Sequence, residues 1–65
     1  MKRAKLLAYL TERGCYLVRE GKKHSVYYNP ESERSSTVPR HTEIVDILSY
    51  KICKDLGVPA IRKRK

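Results

Sequence analysis

His24 is the residue of this sequence best suited to acid–base chemistry, because histidine is the side chain that changes charge near neutral pH. It stands in the run GKKHSVYYNP, residues 21–30, behind two lysines and ahead of two tyrosines. An imidazole can move a proton, and Lys22 and Lys23 can offset negative charge building up on a phosphate. These residue types in this order predict a site that cleaves phosphodiester bonds.

A second basic pair, Arg40-His41, follows later in the chain. Arg40 is a candidate for phosphate contact, because a guanidinium group pairs well with phosphate oxygens. His41 could contact phosphate or transfer a second proton, and a capping or packing role is the alternative. Both residues precede the second predicted helix, whose N-terminal end could itself bind an anion.

Length and charge limit what the chain can do. It has 65 residues and a formal net charge of +8. A chain this short forms one domain with a small core, so its function must use an open surface, a groove or a partner. The positive charge favours a polyanion, most simply nucleic acid, and is also compatible with an acidic protein partner. A role in solubility alone is the alternative.

The cysteine content argues against metal chemistry and against an oxidising compartment. Cys15 and Cys53 lie among apolar neighbours. We interpret them as reduced, packed thiols of a cytoplasmic protein, with a disulfide as the minority alternative. No Cys or His pair has metal-ligand spacing, so we expect no metal site and no cofactor. No apolar run suits a signal peptide or a membrane span, so no membrane partner is expected.

The first predicted helix covers residues 2–13. Leu6, Leu7 and Leu10 form one apolar stripe at helical spacing, with Ala4 at its edge. Gly14 follows directly and is a natural C-terminal cap, because glycine accepts the left-handed backbone.

The second predicted helix covers about residues 43–56, with Thr42 as N-cap and Glu43 and Asp46 in its first turns. Gly57 and Pro59 end it. Its apolar stripe consists of Ile44, Ile47, Leu48, Ile52 and Leu56.

Three strands are predicted between the helices, over residues 15–20, 24–28 and 34–38. In the middle strand, alternation places His24, Val26 and Tyr28 on one face and Ser25 and Tyr27 on the other. If the His24 face is the open one, Tyr28 is the candidate for stacking on a base and Tyr27 belongs to the core.

The predicted fold class is therefore α+β, in the order α-β-β-β-α. A three-stranded antiparallel sheet has one face to cover, and two amphipathic helices on that face suffice. Double-stranded RNA-binding domains have the same architecture. We expect one domain over residues 1–59 and a basic, mobile C-terminal tail over residues 60–65.

Three stretches of sequence form a more specific pattern. They are LLAYL leading to GCYLVR (residues 6–10 and 14–19), GKKHSVYYNP (21–30), and TVPRHTEI followed by ICKDLGV (37–44 and 52–58). In this order and at this chain length, they resemble the HicA toxins, the small ribonuclease halves of HicAB toxin–antitoxin modules. The resemblance covers nearly the whole chain, from about Leu6 to Val58.

The resemblance implies the toxin component of a type II toxin–antitoxin system, an endoribonuclease that cleaves mRNA without the ribosome. It puts His24 at the catalytic position and implies a HicB-type antitoxin that covers the histidine region. Contact with DNA would be indirect, through the antitoxin complex. No metal is needed, because RNA carries its own nucleophile, the 2′-hydroxyl, whose proton a neutral imidazole can take. The candidates for RNA or phosphate binding are Lys22, Lys23, Arg40, His41 and Tyr28.

The catalytic turn departs from the common family pattern. Many members have Gly-Ser-His there and a second histidine directly afterwards. This chain has Lys22-Lys23-His24, with its glycine one position earlier at Gly21, and Ser25 at the position of the second histidine. The lysines can supply charge, but they cannot copy the backbone geometry of a glycine-rich turn.

Two other functions fit parts of the sequence. The first alternative is a noncatalytic RNA-binding module with a fold like that of double-stranded RNA-binding domains, which the element order and the charge would serve equally well. The second and weaker one is a DNA-binding regulator, but no recognition-helix pattern is visible and the second helix is too apolar to spare a face for the major groove. Cleavage of RNA in EDTA would separate the enzyme from the binding module.

Overall fold

The structure, a computed structural model, describes residues 1–60 of the chain. Its elements are helix α1 (Arg3–Glu12), strands β1 (Tyr16–Glu20), β2 (His24–Asn29) and β3 (Arg34–Pro39), and helix α2 (Asp46–Leu56). The predicted α+β arrangement is confirmed. Of the basic tail predicted over residues 60–65, all but Ala60 lies outside the described residues.

The three strands form one antiparallel sheet in the order β1-β2-β3. Tyr16 of β1 pairs with Tyr28 of β2, and a bulge shifts the register between Leu17 and Arg19. On the other side of β2, His24 pairs with Pro39. Directly paired residues share a face of the sheet, so Tyr16 and Tyr28 lie on the same side.

The two faces of β2 have different surroundings. Ser25 and Asn29 are only 1% and 2% exposed, and Tyr27 packs against the apolar core. His24, on the opposite face, is exposed. The face that carries His24 and Tyr28 is therefore the open one, and Tyr27 takes the core position predicted for that case.

The apolar core lies between the covered face of the sheet and the helices. Burial of an aliphatic side chain contributes about 1.5–3 kcal/mol, so these few side chains supply most of the apolar stabilisation. The fully buried members are Leu6, Leu10, Cys15, Val38, Ile44, Ile52, Cys53 and Leu56.

Both cysteines are buried thiols, as predicted. Burial raises the pKa of the Cys15 thiol, and the neighbouring Cys53 raises it further. A thiol with a raised pKa stays protonated near neutral pH, so it is a poor nucleophile. The cysteines therefore belong to the packing of the domain rather than to a reactive site.

Helix α1 agrees with its prediction to within one residue at each end. Leu6 and Leu10 are buried, and Leu7 packs partly against the core. The helix ends at Glu12 with Arg13 as C-cap, and Gly14 follows with a φ of +91°, in the region that favours glycine.

Helix α2 begins later than predicted. The N-cap is Val45, without a side-chain hydrogen bond, so the prediction of Thr42 as N-cap was wrong. Residues 42–44 lie outside the helix because they pair with the start of the chain: the Arg3 amide donates to the Thr42 carbonyl at 2.8 Å, and Lys2 forms an isolated bridge with Glu43. Glu43 therefore lies before the helix, whereas Asp46 occupies its first turn as expected.

One residue of the predicted α2 stripe is also misplaced. Ile47 is 81% exposed. The buried side chains of α2 are instead Ser49, Ile52, Cys53 and Leu56, at the i, i+3, i+4, i+7 spacing of one helix face. Ile47 precedes Ser49 by two residues, which turns its side chain to the other side of the helix. Neither helix of residues 1–60 is long and apolar enough to cross a membrane.

Candidate active site

Five of the six predicted site residues line one shallow, open recess. They are Lys22, Lys23, His24, Arg40 and His41. The recess has a volume of about 500 Å³ and lies where β2 begins and β3 ends. Two segments that are distant in sequence thus meet because β2 pairs with β3 in antiparallel register.

The turn before His24 is closed by its own backbone. The Gly21 amide donates a hydrogen bond to the His24 carbonyl at 2.7 Å. A Cβ at residue 21 would come within 3.1 Å of that same oxygen, which is a reason for glycine at this position. Because the Gly21 N–H is engaged inside the turn, positive charge in the recess comes from side chains rather than from this amide.

Arg40 ties the end of β3 to the turn. Its backbone amide donates to the Lys23 carbonyl at 3.2 Å, and its Nη1 donates to the Gly21 carbonyl at 3.1 Å. The same Nη1 forms an ion pair with Glu20 at 2.9 Å. Both side chains of this pair are about half exposed, so the pair holds geometry more than it adds stability.

A buried serine links Glu20 to the first helix. The Ser25 hydroxyl donates to Glu20 Oε2 at 3.1 Å and accepts from Arg3 Nη2 at 2.8 Å. Arg3 Nε also donates to the carbonyl of Pro39, which pairs with His24 across the sheet. Arg3 therefore holds both the residue after His24 and the residue opposite it.

Arg3, Glu20 and Ser25 were not predicted from the sequence as site residues. Each is a common residue type, and their partners lie between 5 and 36 positions away. Only Ser25 offered a signal in the sequence. Its position next to His24 could have marked it as a contact of the turn.

Lys22 and Lys23 supply the unneutralised charge of the recess. Both side chains are exposed. Within residues 1–60, neither forms an ion pair, whereas Arg40 is paired with Glu20. The recess therefore presents two uncompensated ammonium groups beside an exposed imidazole, an arrangement that attracts a phosphate.

His41 does not lie at a helix N-terminus. Since α2 begins at Asp46, five positions later, the suggested anion site formed by that helix end does not involve Arg40 or His41. His41 is exposed and lines the recess with His24 instead. The recess consequently contains two imidazole side chains, those of His24 and His41.

Tyr28 lies outside the recess. It shares the open face of the sheet with His24, is partly buried, and contacts Tyr16 with the ring centroids 5.8 Å apart. Tyr16 was not a predicted site residue.

No cluster of three or more potential metal ligands occurs in the part of the chain that the structure describes.

Comparison with known proteins identifies a family. The family described as HicA toxin of bacterial toxin-antitoxin matches residues 3–58 of this chain. The match spans both helices, all three strands and the recess. No curated protein and no solved structure matches the chain.

Proposed function

Because the chain belongs to the HicA toxin family of bacterial toxin–antitoxin systems, we propose that it is a metal-independent endoribonuclease that cleaves mRNA with His24. The observation that carries the proposal is the exposed His24 imidazole in a recess with Lys22, Lys23 and Arg40. A group that moves a proton and groups that bind phosphate thus share one site, as RNA cleavage requires.

The proposed reaction uses the nucleophile of the substrate. Neutral His24 takes the proton of the 2′-hydroxyl, whose oxygen attacks the adjacent phosphorus. The bond from phosphorus to the 5′-oxygen breaks, and that oxygen receives a proton as it leaves. The products are a 2′,3′-cyclic phosphate and a 5′-hydroxyl end.

Three cationic side chains stabilise the negative charge that develops on the phosphate during this reaction. Lys22 and Lys23 are placed to approach the phosphate oxygens without first giving up an ion pair. Arg40 Nη1 contacts the Glu20 carboxylate and the Gly21 carbonyl. The other guanidinium nitrogens of Arg40 remain to donate to a phosphate oxygen. Arg40, which Glu20 and the turn hold in place before the reaction, can stabilise developing charge at little cost in reorganisation.

His41 is the proposed second polar contact of the scissile phosphate. It lines the same recess as His24. In the protonated form it would donate to a phosphate oxygen or to the leaving 5′-oxygen. Two histidines around one phosphate would divide the proton transfers between them.

We assign a HicB-type antitoxin as the protein partner that keeps the toxin inactive. The recess is open and cationic, so an acidic antitoxin surface laid over it would exclude RNA by occupying the same charges. His24 and the two lysines would then be buried in the toxin–antitoxin complex.

A cleavage assay in EDTA tests the proposed reaction. The purified toxin is incubated with an end-labelled RNA and with a matched strand that carries one 2′-deoxynucleotide at the cleavage position. We expect cleavage of the RNA in EDTA, none at the deoxy position, and a cyclic phosphate on the product.

Two outcomes would contradict the proposal. Binding of RNA without cleavage would identify a noncatalytic RNA-binding module. Cleavage that EDTA abolishes and added Mg²⁺ restores would replace the metal-independent scheme.

A further inference from the structure

The open face of the sheet carries an aromatic pair that the proposed reaction does not use. Tyr16 and Tyr28 pair across β1 and β2, and their rings meet edge to face, 5.8 Å apart at 66°. Tyr16 is 50% exposed although it belongs to a regular strand. An aromatic ring that is fixed by a neighbour and still half exposed is suited to receive another flat ring.

We infer that Tyr16, supported by Tyr28, binds an unpaired base of the RNA substrate next to the scissile phosphate. The inference rests on the proposed function, because it assigns a subsite for the same RNA. It also names the substrate class: single-stranded RNA, or the unpaired part of a folded RNA, rather than a continuous duplex.

The position of the pair relative to His24 supports this assignment. His24 and Tyr28 lie on the same strand and the same face, four residues apart. At about 3.3 Å per residue, this places them roughly 13 Å from each other. A short stretch of RNA can therefore have its phosphate in the recess and a neighbouring base over the sheet.

The charge around the open face favours RNA over other occupants. Lys22, Lys23 and Arg40 lie at the recess end of the sheet, and Arg19 of β1 is exposed. Basic groups that hold the backbone, next to aromatic rings that hold bases, are the usual combination in proteins that bind single strands. A base in a continuous duplex is stacked on both sides and has no free face for Tyr16.

Binding measurements with a matched tyrosine control test the inference. They are made in the full chain with His24→Ala, so that RNA is bound without being cut. Tyr16→Leu is compared with Tyr16→Phe and with Tyr50→Leu, which alters a 42% exposed tyrosine on α2. Each variant is titrated with a fluorescent single-stranded RNA, the same RNA with abasic sites beside the cleavage position, and a duplex.

We expect Tyr16→Leu to weaken binding of the intact single strand by about 5- to 140-fold, the range for loss of one stacked base. Tyr16→Phe and Tyr50→Leu should bind as the parent does. The parent should bind the abasic RNA more weakly than it binds the intact RNA. Parent and Tyr16→Leu should bind the abasic RNA with equal affinity. This last equality separates stacking from a general loss of structure.

Three results would overturn the inference. The first is equal binding of intact RNA by Tyr16→Leu and its parent. The second is a preference for duplex that Tyr16→Leu leaves unchanged. The third is unchanged RNA binding by Tyr16→Leu together with weakened binding of that variant to the antitoxin. This result would assign the aromatic pair to the antitoxin interface. If no variant, including the parent, binds RNA at all, the proposed function fails instead.

Discussion

The two ends of strand β2 differ in how their side chains are held. At one end, Asn29 is buried, and its side-chain Nδ2 donates to the Leu56 carbonyl at 2.8 Å, at the C-terminal end of α2. At the other end, the exposed His24 is held through its backbone and its neighbours. The contrast shows that the fold fixes the position of His24 while leaving its imidazole available for chemistry.

The Asn29 end predicts the largest effect on stability. Asn29→Ala removes a buried hydrogen bond and should lower the free energy of unfolding by about 1–3 kcal/mol. For a domain of this size, each kcal/mol corresponds to roughly 4–8 °C in melting temperature. Thermal melts monitored by circular dichroism measure the change, with Thr11→Ala, an exposed position on α1, as control. If Asn29→Ala melts at the same temperature as Thr11→Ala, the Asn29 side chain does not stabilise the fold, and the two ends of β2 do not differ in this respect.

The lysines at the His24 end predict an effect on binding instead. Lys22→Ala combined with Lys23→Ala should weaken RNA binding several-fold at low salt and leave the melting temperature unchanged. For single strands, removing one lysine–phosphate interaction reduces the salt slope by about 0.7, so the double substitution should reduce it by about 1.4. Titrations at several salt concentrations in the His24→Ala background measure this decrease.

Lys5 and Lys54, both exposed and outside the recess, provide the matched pair of control substitutions to alanine. If the control pair lowers the salt slope as much as the recess pair does, the lysines of the recess have no special role. RNA would then contact the basic surface as a whole.

The smallest predicted effect concerns Glu43 and the pH dependence of stability. A hydrogen bond from the amino terminus, followed by its charge, lowers the pKa of Glu43 below its ordinary value of 4.5. A carboxylate with a lowered pKa in the folded state stabilises the protein above its ordinary pKa. That contribution is lost as the pH falls through the lowered value.

Glu43→Gln should therefore melt slightly below the parent at pH 7, and the two curves should converge in acid. Because the group is exposed, the difference is expected to be small and to shrink with added salt. If the two melting temperatures still differ at a pH below the lowered pKa, the glutamine disturbs the pairing between the chain start and residues 42–44. Cleavage of RNA should be unchanged at neutral pH.

Local patterns were sufficient to predict most of the fold. Helical leucine spacing and Gly14 located α1, and alternation along β2 separated Tyr27 from Tyr28 correctly. The start of α2 could not be predicted in this way, because it depends on pairing between the chain start and residues 42–44. Ile47 was misassigned because the predicted stripe began at Ile44, which lies before the helix, so its spacing to Ile47 is not a helical one.

The candidate site shows the same limit. His24, Lys22 and Lys23 are adjacent in sequence, so their proximity was evident. Antiparallel pairing with β3 adds Arg40 and His41, and only the folded chain brings them to the recess. The pairing of Arg40 with Glu20 was not predictable, because a partner twenty positions away leaves no local signal.

We propose that the His24 imidazole performs the chemistry and is not needed for the fold. This role of His24 is tested most directly by the single-turnover cleavage rate of His24→Ala on a labelled RNA at saturating protein, measured on a sample whose thermal melt is also recorded. We predict a loss of about 10²- to 10⁴-fold in rate, with an unchanged melting temperature and intact antitoxin binding. Full cleavage activity in a folded His24→Ala protein would contradict the account.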